Sequence, residues 1–270
     1  MRLYFINDSV AQKEVILFVH IDKTAGQTLK GIIDKQYQIS EVRKLKPPLT
    51  IESIMNEIPK DKASKIGCYF NHLEDYLKRV PGGDEAFSCI YGHIYFGAHS
   101  CLSKPFTYIT MLRDPVDRVI SHYYYLLAKN HFKTFTSFED FIQMDLNRNV
   151  QTQYISGNTL PDLPKAIEHL ERYFSVVGIT ERFNESLYLM KKQFGWHQVD
   201  YSNRNVTSHR PAKEQLSPEI INFIQKNNDL DMELYKYAVQ LLDKKIEKLD
   251  FQSKQELQIF IQKGRGEKKG

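Results

Sequence analysis

Short hydrophobic runs alternate along the chain with stretches in which apolar residues recur every three or four positions. The runs cover Val15 to Val19, Ser88 to Tyr91, Thr107 to Leu112 and Ser175 to Ile179, and they are rich in β-branched or aromatic residues. Strands that alternate with helices in this way usually form a mainly parallel sheet with helices on its faces. The pattern therefore predicts an α/β fold.

Helices are predicted directly after two of these strands. After the first, apolar residues have helical spacing from Thr28 to Ile33, so a helix begins inside or just after the preceding turn. After the third, Asp114 stands where an N-cap belongs and Pro115 stands at the first helical position. The apolar side of this second helix consists of Val119, Ile120, Tyr123, Tyr124 and Leu127.

The remaining segments are less informative. Residues 40–83 are rich in lysine and interrupted by proline, and they allow no assignment. A Ser-Pro-Glu start at Ser217 opens a periodic stretch that predicts one or two C-terminal helices. We expect one domain over residues 1–250 and a helical or mobile tail over residues 251–270, with mobility concentrated in the last dozen residues.

Composition narrows the class of protein. The 270 residues are 41% hydrophobic and 26% charged with a net charge of +4, which is ordinary for a globular domain and does not indicate nucleic-acid binding. No apolar stretch approaches the roughly 18 residues of a membrane span, and no signal-peptide pattern opens the chain, so a cytoplasmic location is expected. Cys68, Cys89 and Cys101 form no C-x-x-C pair, which predicts reduced thiols and no metal site.

The turn after the first strand, "HIDKTAGQT", carries the first candidate chemistry. A loop between a parallel strand and a helix directs backbone N–H groups at one point, where the helix dipole adds positive charge. Lys23 adds a full charge, Gly26 allows a close backbone approach, and Thr24 and Thr28 offer hydroxyl donors. The segment predicts a phosphate-like ligand, although it lacks the Walker A order of glycine and lysine. A plain turn with an exposed lysine is the alternative.

A second candidate site is the corner "LRDPVDRVIS". Arg113 ends the third strand, where open α/β sheets bind ligands, and the hydroxyl of Ser121 follows two helical turns later. We expect both to contact a second anionic group. The alternative is that Arg113 and Asp114 form a structural corner pair.

A third candidate is His93 in "IYGHIYFGAH", just past the second strand. Histidine titrates near neutral pH, so a histidine beside an anion pocket is a candidate general base. His20, His99 and His122 are rivals for this role. A lone histidine is more often structural.

The three segments together resemble, in order and approximate spacing, the carbohydrate sulfotransferases typified by the heparan sulfate 2-O- and 6-O-sulfotransferases. Further similarity lies in "VVGITERFNESLYLMKKQFGW" and in the late "LYKYA" helix. The resemblance extends from about Val15 to Leu242. It implies a P-loop-like central parallel sheet flanked by helices, built around the sulfuryl donor 3′-phosphoadenosine 5′-phosphosulfate (PAPS).

The resemblance also implies roles for single residues. The loop that holds the 5′-phosphosulfate matches Lys23, Thr24, Ala25, Gly26, Gln27 and Thr28. Arg113 and Ser121 match the pair that holds the 3′-phosphate, and His93 matches the catalytic base, with Lys23 stabilising the leaving group. The segment Asn205 to Arg210 falls roughly where related enzymes close over the nucleotide.

Two positions depart from the family pattern, which usually has proline at Asp22 and a small hydroxyl residue at Gln27. Asp22 would repel a phosphosulfate unless its side chain turns away. Gln27 could still donate through its backbone N–H.

The expected reaction is in-line transfer of a sulfuryl group from PAPS to a hydroxyl, without a metal. A polysaccharide is the first expectation for the acceptor, and a lipid or polyketide hydroxyl is the next. Aromatic residues at 91–96 and 123–125 could stack on sugar rings, but such residues more often belong to a core. A P-loop-type kinase and a catalytically inactive nucleotide-binding relative are the alternatives.

Overall fold

The centre of the protein is a sheet of five parallel strands in a computed structural model that describes residues 14–45, 74, 77–79, 81–129, 137–158, 160–201 and 211–266. The strands are β1 Val15–Val19, β2 Val42–Leu45, β3 Cys89–Gly92, β4 Phe106–Leu112 and β5 Phe174–Ile179. They lie in the order β2-β3-β1-β4-β5, and every neighbouring pair is parallel. The predicted α/β class is confirmed.

The strand boundaries follow the hydrophobic runs closely. β1 matches the prediction to the residue, β4 and β5 each begin one residue earlier than predicted, and β3 is shifted by one residue at both ends. β2 was not predicted, because "VRKL" has two basic residues and no apolar run. β2 is an edge strand that pairs with β3 alone, and charged residues are common on edge strands.

β1 is buried along its whole length because it lies between β3 and β4. Its main chain pairs Phe18 with Tyr91 on one side and with Ile109 on the other. The residues that follow β1, β3 and β4 therefore emerge side by side at the carboxyl edge of the sheet. In open parallel sheets this edge is the usual place for ligands.

Helices flank the sheet. Their bounds are α1 Gly26–Gln36, α2 Pro115–Ala128, α3 Phe138–Gln143, α4 Val150–Ser156, α5 Leu163–Tyr173, α6 Phe183–Phe194, α7 Pro218–Asn227, α8 Asp229–Glu247 and α9 Phe251–Gly266. α5, α6 and α8 pack against β5, and the main core lies between helices and sheet. A second apolar cluster joins α2, α3 and α7 around Ile120, Phe141 and Ile224.

The start of α2 confirms its predicted caps. Asp114 is the N-cap, and its Oδ1 accepts a hydrogen bond from the N–H of Asp117 at 3.0 Å, while Pro115 opens the helix. The cap fixes the corner in which Arg113 leaves β4. Among the described residues, none of the helices is both long enough and apolar enough to cross a membrane.

The C-terminal region is helical. The stretch from Ser217 forms α7 and α8, and a further helix, α9, follows where a helical or mobile tail was expected. Ser253 and Leu257 of α9 are buried, and the hydroxyl of Tyr188 on α6 donates to the carbonyl of Ser253 at 2.9 Å. The described part of α9 is therefore packed on α6. The domain boundary at residue 250 stays a prediction.

Candidate active site

The loop between β1 and α1 has an unusual backbone. Lys23 and Ala25 adopt left-handed conformations, with φ of 68° and 63°. Each such non-glycine residue costs about 1–3 kcal/mol, and these residues cluster where function requires a fixed shape. Between them, the buried Thr24 donates its hydroxyl to the carbonyl of Ile21 at 2.9 Å. That hydroxyl shapes the loop, and contact between Thr24 and a ligand stays a prediction.

Gly26 is needed for a reason that the sequence did not reveal. A Cβ atom here would lie 1.8 Å from Cδ2 and 2.0 Å from Nε2 of the His20 ring. The glycine therefore makes room for His20, which packs under the start of α1. A close approach of the backbone to a ligand was the predicted reason.

The N-terminus of α1 has no capping side chain. Ala25 is the N-cap, and its carbonyl accepts from the N–H groups of Thr28 and Leu29 at 3.0 and 3.2 Å. The N–H groups of Gly26 and Gln27 belong to the first turn and are directed out of the helix end. An open helix N-terminus of this kind binds anions.

The Lys23 ammonium contacts an aromatic ring on another element. Its Nζ lies 3.9 Å from the centroid of the Tyr125 ring of α2. This is a cation–π contact, which is worth about 0.5–1 kcal/mol at an exposed site. It places the ammonium between the loop after β1 and the helix after β4.

Arg113 joins the two candidate anion sites directly. Its Nη1 donates to the carbonyl of Lys23 at 3.0 Å. Its main chain is held by the buried Gln151, whose Oε1 accepts from the Arg113 N–H and whose Nε2 donates to the Arg113 carbonyl, both at 2.9 Å. The structure thus brings together the loop and corner that the sequence singled out separately.

Acidic groups surround the Arg113 guanidinium. Asp117 Oδ1 and Glu181 Oε1 each lie 3.8 Å from one of its nitrogens, and burial raises the pKa of Glu181. Asp114, which the alternative interpretation paired with Arg113, instead accepts from Lys213 Nζ at 3.1 Å. Arg113 therefore has structural ion-pair partners, and an incoming anion would share the guanidinium with them.

Ser121 is buried two turns into α2, and its contact with an anion stays a prediction. The segment Asn205 to Arg210 lies outside the described residues.

His93 lies beside the loop that follows β1. Its Nε2 is 3.6 Å from Asp22 Oδ1, and its ring stacks on His20 with centroids 4.5 Å apart. The parallel pairing of β1 with β3 makes these contacts, since the His20 N–H donates to the Gly92 carbonyl at 2.9 Å. His93 Nδ1 is buried and has no hydrogen-bond partner within the described ranges. Its side chain stays 26% exposed, so one edge is open to a substrate.

The rival histidines are held in structural roles. Burial, with His93 nearby, lowers the pKa of His20 to about 3, and burial lowers that of His122 to about 4. His122 Nδ1 lies 3.2 Å from Asn147 Oδ1, and His99 Nδ1 lies 2.9 Å from the Tyr108 hydroxyl. Of the four, only His93 is adjacent to the anion loop with its ring partly open.

Buried polar side chains form hydrogen bonds to the segment that carries Gln151. Arg118, 1% exposed, donates from Nη2 to the Asn147 carbonyl at 3.0 Å, and burial lowers its pKa. Asp231 on α8 accepts from the N–H groups of Gln151 and Thr152 at 3.0 and 2.7 Å, and burial raises its pKa. The network connects α2, α4 and α8 to the residue that holds Arg113.

Sequence reasoning missed Gln151, Asp231 and the pairing of Tyr125 with Lys23. Only Tyr125 carried a signal, as part of a Tyr-Tyr-Tyr run beside the Arg113 corner. The other two act through contacts between distant segments. Within the described part of the chain, no group of three His, Cys, Asp or Glu side chains could hold a metal ion.

Comparisons with known proteins agree on one family. A model described as the sulfotransferase family matches residues 9–238. The chain is similar to human galactose-3-O-sulfotransferase 2, at 25% identity over 246 residues, covering 82% of this chain and 58% of that protein. It is also similar to heparan-sulfate 6-O-sulfotransferase 1 of Cricetulus griseus, at 24% identity over 291 residues, covering 86% of this chain and 68% of that protein. The chain thus spans less than two thirds of the human relative.

Two solved structures are similar at low identity. One is the crystal structure of a mouse sulfotransferase complexed with PAP, with a TM-score of 0.44 and 15% identity, covering 84% of this chain and 90% of that chain. The other is a sulfotransferase from Alicyclobacillus acidocaldarius, with a TM-score of 0.42 and 14% identity, covering 83% of this chain and 95% of that chain.

Proposed function

The chain belongs to the sulfotransferase family, and from that premise we propose that it transfers a sulfuryl group from PAPS to a hydroxyl group of a carbohydrate acceptor. The observation that carries the proposal is the 3.0 Å hydrogen bond from Arg113 to the Lys23 carbonyl. It fixes the Arg113 guanidinium beside the loop that carries Lys23, at the carboxyl edge of neighbouring parallel strands. Such an arrangement suits a donor with two separated anionic groups.

The residues of the loop fit the phosphosulfate end of this donor. The open N–H groups of Gly26 and Gln27 and the charge of Lys23 would hold the 5′-phosphosulfate, with the N–H groups of Thr24 and Ala25 completing the loop. Lys23 would stabilise the charge that builds on the leaving phosphate. A preorganised donor of this kind contributes roughly 3 kcal/mol to catalysis.

The corner after β4 fits the other end. Arg113 and Ser121 would bind the 3′-phosphate, which would turn the sulfur toward the acceptor. The acidic neighbours of Arg113, Asp117 and Glu181, lie at 3.8 Å, beyond hydrogen-bond distance, so the guanidinium can still bind a phosphate oxygen.

His93 would accept the proton of the acceptor hydroxyl. It is the partly exposed histidine beside the loop, and the stacked His20 ring limits its rotation. The carbohydrate class of the acceptor is supported by the names of the curated relatives. Near His93, the Tyr95 and Tyr154 rings stack 4.3 Å apart, and both are partly exposed, as a sugar-binding surface requires.

The proposal is tested by transfer of labelled sulfate from PAPS to a panel of polysaccharides, small alcohols and lipids. We expect transfer to a polysaccharide, and His93→Ala should lower turnover roughly 10²- to 10⁴-fold while donor binding stays unchanged. Lys23→Ala should weaken both donor binding and turnover. Lys30→Ala, which changes a lysine seven residues further on that pairs with Asp34, is the matched control.

Nucleotide binding gives an independent measurement. The product nucleotide 3′-phosphoadenosine 5′-phosphate (PAP) should bind roughly 10- to 100-fold more tightly than AMP, since a hydrogen bond between charged groups contributes about 1.5–3 kcal/mol. Calorimetry that gives equal affinities would contradict the role of Arg113. If PAP binds tightly but sulfate is transferred to none of the acceptors, the result would instead favour a catalytically inactive relative.

A further inference from the structure

Asp22 is the position at which the loop departs most clearly from its relatives, and the structure gives its carboxylate a definite direction. Its Oδ1 lies 3.6 Å from Nε2 of His93. The side chain is 44% exposed, so the carboxylate lies at the open side of the site, beside the imidazole edge that a substrate would reach. The separation is longer than a hydrogen bond, and the interaction is therefore one of charge.

A stack of aromatic rings fixes the direction of His93. His20 stacks on one face of the His93 ring at 4.5 Å with an interplanar angle of 25°, and Phe18 stacks on His20 at 5.6 Å. The His20 ring has this position because Gly26 has no side chain. With its ring plane held and Nδ1 buried, His93 presents Nε2 to the space beside Asp22.

The charges near this pair come from several elements. The titratable and charged groups that face Asp22 or His20 are Lys23 in the same loop, Lys44 on β2, His93 after β3, and Arg118 and His122 on α2. Burial alone would raise the pKa of Asp22, but the nearby imidazoles, that of His93 first, together with Arg118 hold it below its ordinary value. Asp22 is thus an anion at neutral pH, while His20 and His122 are neutral.

We infer that Asp22 is a positioning residue for His93. The carboxylate of Asp22 stabilises the imidazolium that forms when His93 takes the proton of the acceptor. This inference rests on the proposed function. The acceptor O–H bond breaks and its proton moves to His93 Nε2. The acceptor oxygen bonds to sulfur, the bond from sulfur to the bridging phosphate oxygen breaks, and PAP leaves with that electron pair. Asp22 stays ionised throughout, and its negative charge offsets the new positive charge beside it.

This role resolves the conflict that the sequence presented. A carboxylate in an anion-binding loop repels the anionic donor and weakens its binding. If Asp22 had no other role, this loss of affinity would have no compensation. Directed at His93, the same charge acts on the base. The two interpretations predict opposite effects of neutralising Asp22.

The test compares the wild type with Asp22→Asn, which keeps the shape of the side chain and removes its charge. We expect kcat to fall about tenfold, less than the roughly 10²- to 10⁴-fold fall for loss of a general base. The ascending limb of the pH–rate profile should move to lower pH, while PAP binds as tightly as in the wild type or more tightly. Asp22→Glu, which restores the charge, should recover part of kcat, whereas a purely structural role would not follow the charge.

Two further measurements separate this inference from the proposed function. In a His93→Ala background, Asp22→Asn should have no further effect on kcat, because the two residues act as a unit. The His93 imidazole resonance, identified by its loss in His93→Ala, should titrate at lower pH in Asp22→Asn than in the wild type. This NMR comparison needs no turnover, so it decides the point even if no sulfate is transferred. An unchanged titration, or a kcat in Asp22→Asn that equals or exceeds that of the wild type, would overturn the inference.

Discussion

Mild acid should destabilise this protein because two buried histidines are neutral in its folded state. The folded pKa values of His20 and His122 are about 3 and about 4, below their ordinary value of 6.5. Below pH 6.5 the unfolded chain binds protons at these positions and the folded chain does not. Their contribution to stability is therefore complete above pH 6.5 and is lost as the pH falls toward 4 and 3.

The size of the effect follows from the number of protons. Two protons bound only by the unfolded state lower the free energy of unfolding by about 2.7 kcal/mol per pH unit, or roughly 4 kcal/mol in total at pH 5. Burial also lowers the pKa values of His99 and His169, which act in the same direction. Asp231, whose pKa is raised by burial, acts in the opposite direction from about pH 3.8 upward. A domain is typically stable by about 5–15 kcal/mol, so the loss is large.

The assay is urea unfolding followed by circular dichroism at pH 8, 7, 6 and 5. His122→Gln removes one of the two groups, so its free energy of unfolding should change with pH less steeply than that of the wild type, by about 1.4 kcal/mol per pH unit. His197→Gln, at an exposed position, is the control for loss of an imidazole. Equal slopes for His122→Gln and the wild type, or a stability that rises between pH 7 and pH 5, would refute the reasoning.

Two other predictions test the anion loop. Gly26→Ala places a Cβ 1.8 Å from the His20 ring, so urea unfolding should show a loss of about 1–3 kcal/mol, and an unchanged midpoint would mean that His20 moves freely. Tyr125→Leu removes the ring that lies 3.9 Å from Lys23 Nζ and should lower turnover about two- to fivefold, whereas Tyr125→Phe keeps the ring and should retain wild-type turnover. Faster turnover in Tyr125→Leu would show that the ring holds Lys23 away from the donor.

Local features of the fold could be predicted because neighbouring residues determine them. The five apolar residues of β1 and the Asp114 and Pro115 cap of α2 are recognisable within a few positions of sequence. β2 could not be predicted, since its pairing with β3 and not its composition makes it a strand. The packing of α9 likewise depends on a distant contact, with Tyr188 of α6.

The contacts of the candidate site also divide into those that could be predicted from the sequence and those that depend on the tertiary structure. Parallel strands bring their carboxyl ends to one edge, so the predicted α/β class places Lys23 and Arg113 at the same edge. Their direct contact also requires β1 and β4 to be neighbours. The contact of Asp22 with His93 and the space that Gly26 gives to His20 required the order of the strands, which the sequence alone did not provide. The hydrogen bond between Gln151 and the Arg113 main chain depends on α4, which is distant in the sequence.

The position of β1 in the middle of the sheet also has a consequence for synthesis on the ribosome. β1 is made first, but its partners begin only at Cys89 and Phe106, so the nascent chain carries the apolar segment VILFV for a long interval with both edges unpaired. Such segments are prone to aggregate, and translation adds only about 5–20 residues per second. The strand that ends in the anion loop thus keeps an unpaired edge until β4 emerges, and the cell's chaperones would have to shield it until then.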